Sequence, residues 1–247
     1  MKGLLRTIGV FTVVIATVVI LSPAGAVLFL FRLIGFKKNI SFAMYKIAQI
    51  WAKLLIVVTG CKLTVKGREH IPQQGGVCFV SNHGSIFDIL LILAYAGRPF
   101  GFMAKKELIW LPCINMWIAL LGGFFLDRKN VKKALDVINK GVKNIQKGGA
   151  MIIFPEGHRS RGQGVLPFKA GAFKLATQSN AVIVPVAIAG SYDIFEKTGR
   201  VQTVSVELVF APPIAVADIP REDRRQHLAD RVHAVIAGAL TRGAAGL

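Results

Sequence analysis

The sequence predicts an α/β fold: a mixed, largely parallel sheet flanked by helices, preceded by an N-terminal membrane-associated two-helix hairpin. Three observations predict it. From Lys62 onward, short β-rich runs alternate with helically periodic ones, the order that builds a sheet covered by helices. Several of those runs are apolar without alternation, as strands buried on both faces require. Ahead of them, an uncharged stretch extends from Thr7 to Phe31. The chain divides on this reading into residues 1–60, a helical membrane anchor, and residues 61–247, one α/β domain.

Taken as one helix, Thr7 to Phe31 would reach about 37 Å, enough for a bilayer core of about 30 Å. Ser22-Pro23-Ala24-Gly25 interrupts it, and Pro with Gly predicts a turn there. That leaves Ile8 to Leu21 at about 21 Å, short for a span. The next stretch, Ala24 to Val58, stays apolar but carries Arg32, Lys37, Lys38, Lys46 and Lys53. Lys46, Gln49 and Lys53 share a helical face, with Ile47, Ile50, Trp51, Leu54 and Leu55 largely elsewhere. This is the pattern of a helix lying at an interface, apolar face in lipid and lysines at the headgroups. A hairpin dipping into one leaflet is the reading preferred, with a transmembrane span as the alternative. The basic Met1–Arg6 and the small residues Ala24-Gly25-Ala26 also have the layout of a cleavable signal, but apolar sequence resumes at once with Val27-Leu28-Phe29.

In the second part, strands are expected at Leu63–Lys66, Val77–Ser81, Phe100–Ala104, Phe124–Leu126, Ala150–Phe154, Val182–Ala189 and Val204–Phe210. Helices are expected at Ile86–Tyr95, Cys113–Leu121, Val131–Lys147, Lys169–Gln178 and roughly Arg221–Leu240. In the third of these, Val131, Ala134, Leu135, Ile138, Val142 and Ile145 recur at helical spacing while five lysines point elsewhere. Gly243 to Leu247 is expected to fray.

Composition narrows the partners. Hydrophobic residues make up 53% of the 247, and 31 Lys and Arg against 13 acidic residues give a formal charge of +18. Such a balance suits an anionic membrane surface, nucleic acid, or an acidic carrier or substrate. The apolar excess favours the membrane, and neither zinc-finger spacing nor an aromatic-rich RNA-binding signature supports nucleic acid. Three cysteines, Cys61, Cys78 and Cys113, form no CxxC pair and fit core thiols in a reducing compartment. The five histidines show no metal-ligand cluster, so no metal or cofactor is expected. There is no P-loop and no GxSxG elbow, so nucleotide hydrolysis and serine-esterase chemistry have no support.

Three stretches can carry chemistry. In Asn82-His83-Gly84-Ser85-Ile86-Phe87-Asp88, a histidine and a carboxylate follow a strand-like run. A neutral imidazole takes a proton from a hydroxyl, and a carboxylate on its other nitrogen fixes the tautomer and stabilises the imidazolium. In Phe154-Pro155-Glu156-Gly157-His158-Arg159-Ser160-Arg161-Gly162, backbone N–H groups and guanidinium forks can meet a phosphate. Glu156 there either orients an arginine or hydrogen-bonds a substrate hydroxyl; the bland alternative is an ordinary charged surface loop. Gly123-Phe124-Phe125-Leu126-Asp127-Arg128 ends a third strand with an acid and an arginine, and Lys105 follows a fourth. In an α/β sheet such strand ends converge on one edge.

These stretches resemble the glycerolipid acyltransferase family, and within it the bacterial 1-acylglycerol-3-phosphate acyltransferases. The family's Asn-His-x-x-x-x-Asp block matches Asn82 to Asp88, and its Gly-rich strand ending in Asp-Arg matches Gly123 to Arg128. Its Phe-Pro-Glu-Gly-Thr-Arg-Ser block matches Phe154 to Ser160 with His158 in place of Thr, and an apolar run around a proline matches Val184 to Ile188. The resemblance implies transfer of a fatty acyl group from an acyl carrier protein or coenzyme A thioester to lysophosphatidic acid, making phosphatidic acid. It implies His83 and Asp88 as the catalytic pair. Arg159, Arg128 and Lys105 would hold the acceptor phosphate, Glu156 the glycerol part, and Gly157 and Ser160 would belong to the same subsite. An apolar groove for the acyl chain is expected near Val184–Ile188 or Trp110–Leu121. The implied location is the cytoplasmic face of the inner membrane. The alternatives are another acceptor (glycerol 3-phosphate or a different lysophospholipid) or a membrane lipid-binding protein without activity.

Overall fold

The computed structural model describes residues 2–35, 37–127, 130–224 and 226–244. Two long helices, α1 (Lys2–Leu33) and α2 (Lys37–Thr59), form the expected hairpin, but the turn falls after Leu33 and not at Ser22–Gly25. Helix α1 runs through Pro23. A proline removes a single amide donor, whereas a turn among apolar residues would bare several backbone groups. The Ser22 hydroxyl donates to the Val18 carbonyl at 2.6 Å, one turn back. Gly25 serves close packing: a Cβ there would stand 2.8 Å from Met116 Cε and 3.2 Å from Trp117 Cζ2. At 32 residues, α1 is about 48 Å long, so the shortness expected of the first helix does not hold. Leu5, Ile8, Ile15, Ile20, Val27 and Leu30 stand exposed along it. Stretches of both helices are long and apolar enough to cross a bilayer by length and composition, which is compatible with membrane association.

Helix α2 is not an appendage. Its Tyr45, Ala48, Ala52 and Ile56 are buried in one core with Leu91 and Ile92 of α3 (Asp88–Tyr95) and with Phe79 of the sheet. Gln49, expected at the headgroups, instead donates to the Ala94 carbonyl at 3.1 Å. Lys46 and Lys53 lie 5.5 and 5.4 Å from the ring centroids of Phe42 and Tyr95. The outward face of α2 carries exposed Ile47, Ile50, Leu54 and Val57.

Among the described residues the sheet has eight strands: β1 (Lys62–Lys66), β2 (Val77–Ser81), β3 (Gly101–Lys105), β4 (Phe124–Leu126), β5 (Ala150–Ile153), β6 (Val182–Ala189), β7 (Ser205–Phe210) and β8 (Ile214–Ala215). Their order is β1-β7-β6-β2-β5-β3-β4, with β8 against β6. Strands β6, β2, β5, β3 and β4 are mutually parallel. Strand β7 runs antiparallel to β6, and β1 parallel to β7, so the sheet is mixed and largely parallel as expected. Short strand β8, after Pro212-Pro213, was not expected.

Helices α4 (Ile114–Leu120), α5 (Val131–Gln146), α6 (Lys174–Ser179), α7 (Ser191–Ile194) and α8 (Gln226–Ala244) complete the chain. Strands β2 and β5 are buried on both faces, with α2 and α3 covering one side and α5, α6 and α8 the other. Two-sided burial explains the unbroken apolar runs. It also makes Val184 to Ile188 core and not an acyl groove, since Val184 and Val186 are fully buried. Of the cysteines only Cys78 is buried, and that burial pushes its thiol up to about 12; Cys61 and Cys113 are partly exposed. Of the tail expected to fray, residues 245–247 lie outside the described residues, while α8 extends through Ala244.

Candidate active site

The parallel register makes the site. Val80 of β2 pairs with Ile153 of β5 and Pro185 of β6, so the chain leaves all three strands at one edge. Open α/β sheets bind ligands outside such carboxyl ends.

Asn82 governs the exit from β2. Its Nδ2 donates to the Ile188 carbonyl and its Oδ1 accepts from the Ile188 amide, both at 2.9 Å. The side chain thus extends the ladder with β6 by one step and satisfies two backbone groups that burial would otherwise leave costly.

His83 follows. Its Nδ1 lies 2.8 Å from Asp88 Oδ2, which also accepts from the amides of Gly84 and Ser85 at 2.8 Å each. An oxygen that accepts two amides is an acceptor for the ring as well, so Nδ1 carries hydrogen and Nε2 is left with its lone pair. Asp88 is wholly buried in the first turn of α3, where the helix dipole favours a carboxylate. The imidazole, 21% exposed, stacks on Phe154 with centroids 4.1 Å apart.

The loop after β5 holds both backbone groups of His83. Glu156 Oε1 accepts from the His83 amide at 3.1 Å, and the Ser160 amide donates to the His83 carbonyl at 2.7 Å. The Phe154–Gly157 segment closes with Gly157 N donating to Phe154 O at 3.1 Å, and Gly157 has φ 81°. A Cβ on Gly157 would lie 2.9 Å from Lys169 Nζ, which places that ammonium against the loop.

Glu156 is 1% exposed. Burial pushes its carboxyl up to about 7; the His83 and Leu166 amides pull it back and the Asp88 charge adds to the rise. Its Oε2 is buried with no hydrogen bond of normal geometry, although the Leu166 amide is close enough to act electrostatically.

Among the residues expected from sequence, His83, Asp88, Glu156, Gly157, Arg159 and Ser160 are gathered at this edge. The acid beside Arg159 is Glu196, not Glu156: Arg159 Nη1 donates to Glu196 Oε1 at 3.2 Å. Glu196 stands in no motif and comes from the segment after β6. Lys105 ends β3, exposed on the same edge, and none of the hydrogen bonds or ion pairs among the described residues joins it to His83 or Glu156. Arg128 lies outside the described residues; its neighbour Asp127 accepts from Lys106 Nζ at 2.9 Å. His158 is exposed with Nδ1 3.3 Å from the Arg159 carbonyl oxygen. Lys169 belongs to no motif, and its only signal in the sequence is its place just beyond the Glu156–Arg161 loop. Among the described residues no three His, Cys, Asp or Glu side chains are placed to hold a metal ion.

A base-ready imidazole backed by a carboxylate, with Arg159 on the adjoining loop, is the equipment of a group-transfer site acting on a hydroxyl. The chain belongs to the acyltransferase family, whose model matches residues 62–189. A 1-acyl-sn-glycerol-3-phosphate acyltransferase of Limnanthes douglasii is 35% identical over 167 residues, covering 67% of this chain and 59% of that protein. One of Borreliella burgdorferi is 31% identical over 145 residues, covering 59% of this chain and 58% of that protein. The chain therefore spans roughly three fifths of the length of these curated relatives. The crystal structure of the 1-acyl-sn-glycerophosphate (LPA) acyltransferase PlsC from Thermotoga maritima superposes with a TM-score of 0.82 at 26% identity, covering 98% of this chain and 95% of that one.

Proposed function

We propose that the protein transfers a fatty acyl group from an acyl thioester to the sn-2 hydroxyl of 1-acylglycerol 3-phosphate, making phosphatidic acid for phospholipid synthesis. The observation that carries this is the 2.8 Å contact of His83 Nδ1 with an Asp88 oxygen already held by two amides. That contact leaves Nε2 as the base. The matched relatives and the superposing crystal structure, all named for this acceptor, support the choice of substrate.

In the proposed reaction, Nε2 of His83 takes the acceptor's hydroxyl proton as the oxygen attacks the thioester carbonyl. The new ester C–O bond forms, the C–S bond breaks, and the imidazolium returns the proton to the thiolate. Asp88 stabilises the imidazolium in between. No covalent enzyme intermediate is needed, because the acceptor is the nucleophile. Arg159 and Lys105, with Arg128, would neutralise the acceptor phosphate, and Glu156, Gly157 and Ser160 would form the wall against its glycerol.

The donor is an acyl carrier protein or coenzyme A; a formal charge of +18 suits either. Residues 1–60 would anchor the α/β domain, residues 61–247, to the cytoplasmic face of the inner membrane. Exposed Leu5, Ile8, Ile15, Ile50 and Leu54 support lipid contact. Purified protein given lysophosphatidic acid and a mixed pool of both thioesters should yield phosphatidic acid by mass spectrometry. Lipid binding with no product would contradict the reading.

A further inference from the structure

Glu196 accepts three hydrogen bonds from two separate loops. Oε2 accepts from the Ser85 hydroxyl at 2.8 Å, while Oε1 accepts from the Ile86 amide at 2.7 Å and from Arg159 at 3.2 Å. Ser85 and Ile86 belong to the short loop whose Gly84 and Ser85 amides hold Asp88 Oδ2 from the other side. One carboxylate therefore braces the loop that carries the histidine and aims the arginine expected to meet the acceptor phosphate. We propose that Glu196 is a positioning residue that couples the His83–Asp88 pair to Arg159, setting the acceptor phosphate against the base.

This rests on the function proposed above. A free arginine side chain loses considerable rotamer freedom on binding a phosphate; one already held by a single N–H keeps its other donors for the ligand and loses less. Glu196 is itself well seated. The preceding Phe195 meets Phe11 of α1 edge-on with centroids 5.4 Å apart, and Thr7 Oγ1 accepts from the Val201 amide at 2.8 Å. Helix α1 thus also backs the segment that carries the brace.

The test is steady-state acyl transfer by full-length Glu196→Ala and Glu196→Gln, with lysophosphatidic acid and donor varied separately. Glu196→Ala should raise the acceptor KM about tenfold or more with donor KM unchanged. Glu196→Gln, which keeps an oxygen for Ile86 and Arg159 while the Ser85 hydroxyl turns to accept, should stay within about threefold of wild type. In an Arg159→Ala background, Glu196→Ala should add little, because the two residues act as one unit. An unchanged acceptor KM, or donor and acceptor KM rising together with a falling Tm, would overturn the proposal. A wild-type protein that does not acylate lysophosphatidic acid would overturn the functional reading instead. The brace would then be decided by hydrogen exchange: faster exchange of the Ile86 amide in Glu196→Ala supports it, and unchanged exchange overturns it.

Discussion

Glu156 Oε1 accepts the backbone N–H of His83 at 3.1 Å, so the acid of one loop fixes the backbone of the proposed base on another. The two loops leave adjacent parallel strands, β2 and β5, at the same level. The contact follows from strand register and from a carboxyl buried deeply enough to be raised to about 7.

That raised value makes stability depend on pH. Below 4.5 the folded and unfolded chains both keep the proton; between 4.5 and about 7 the unfolded chain has released it and the folded chain has not. Stability therefore falls as pH rises through this window. Glu156→Gln should lack this component and at pH 8 be more stable than wild type by up to about 3 kcal/mol. Denaturation at pH 4.5, 6 and 8 checks it, the expected result being a steeper decline for wild type than for the variant.

Asn82 is expected to matter for folding before chemistry. Its side chain satisfies both the amide and the carbonyl of buried Ile188. Asn82→Ala should cost about 2–4 kcal/mol, the penalty of leaving two buried backbone groups unpaired, read as a lower denaturation midpoint with unchanged m.

Arg159→Ala should chiefly raise the acceptor KM, by about 30-fold for a lost charged hydrogen bond of about 2 kcal/mol. The donor KM should not move. A loss confined to kcat would place Arg159 elsewhere in the reaction.

Much of the fold was legible in the sequence because two-sided burial leaves unbroken apolar runs. Val77–Ser81 and Val182–Ala189 are such strands with the bounds expected of them, and the partly buried edge strand Phe124–Leu126 keeps its expected bounds as well. The hairpin turn after Leu33 is not legible because Pro23 and Gly25 are turn formers in water, whereas here they lie in a helix packed on α4. Two-residue β8 is too short to show periodicity. In the site, His83 and Asp88 are five positions apart and legible as a pair. Glu196 is 111 positions from Ser85 and belongs to no motif; only the return of the chain past β6 brings it in. The protonation of Glu156 was hidden for the same reason, since it depends on burial that no local pattern reveals.

The central claim is that His83 Nε2 removes the acceptor's proton, and His83→Ala tests it most directly. Acyl transfer to lysophosphatidic acid by the purified variant should fall by about 100-fold to 10,000-fold, with Tm and membrane partition unchanged. Wild-type kcat in a folded, membrane-bound His83→Ala protein would contradict it.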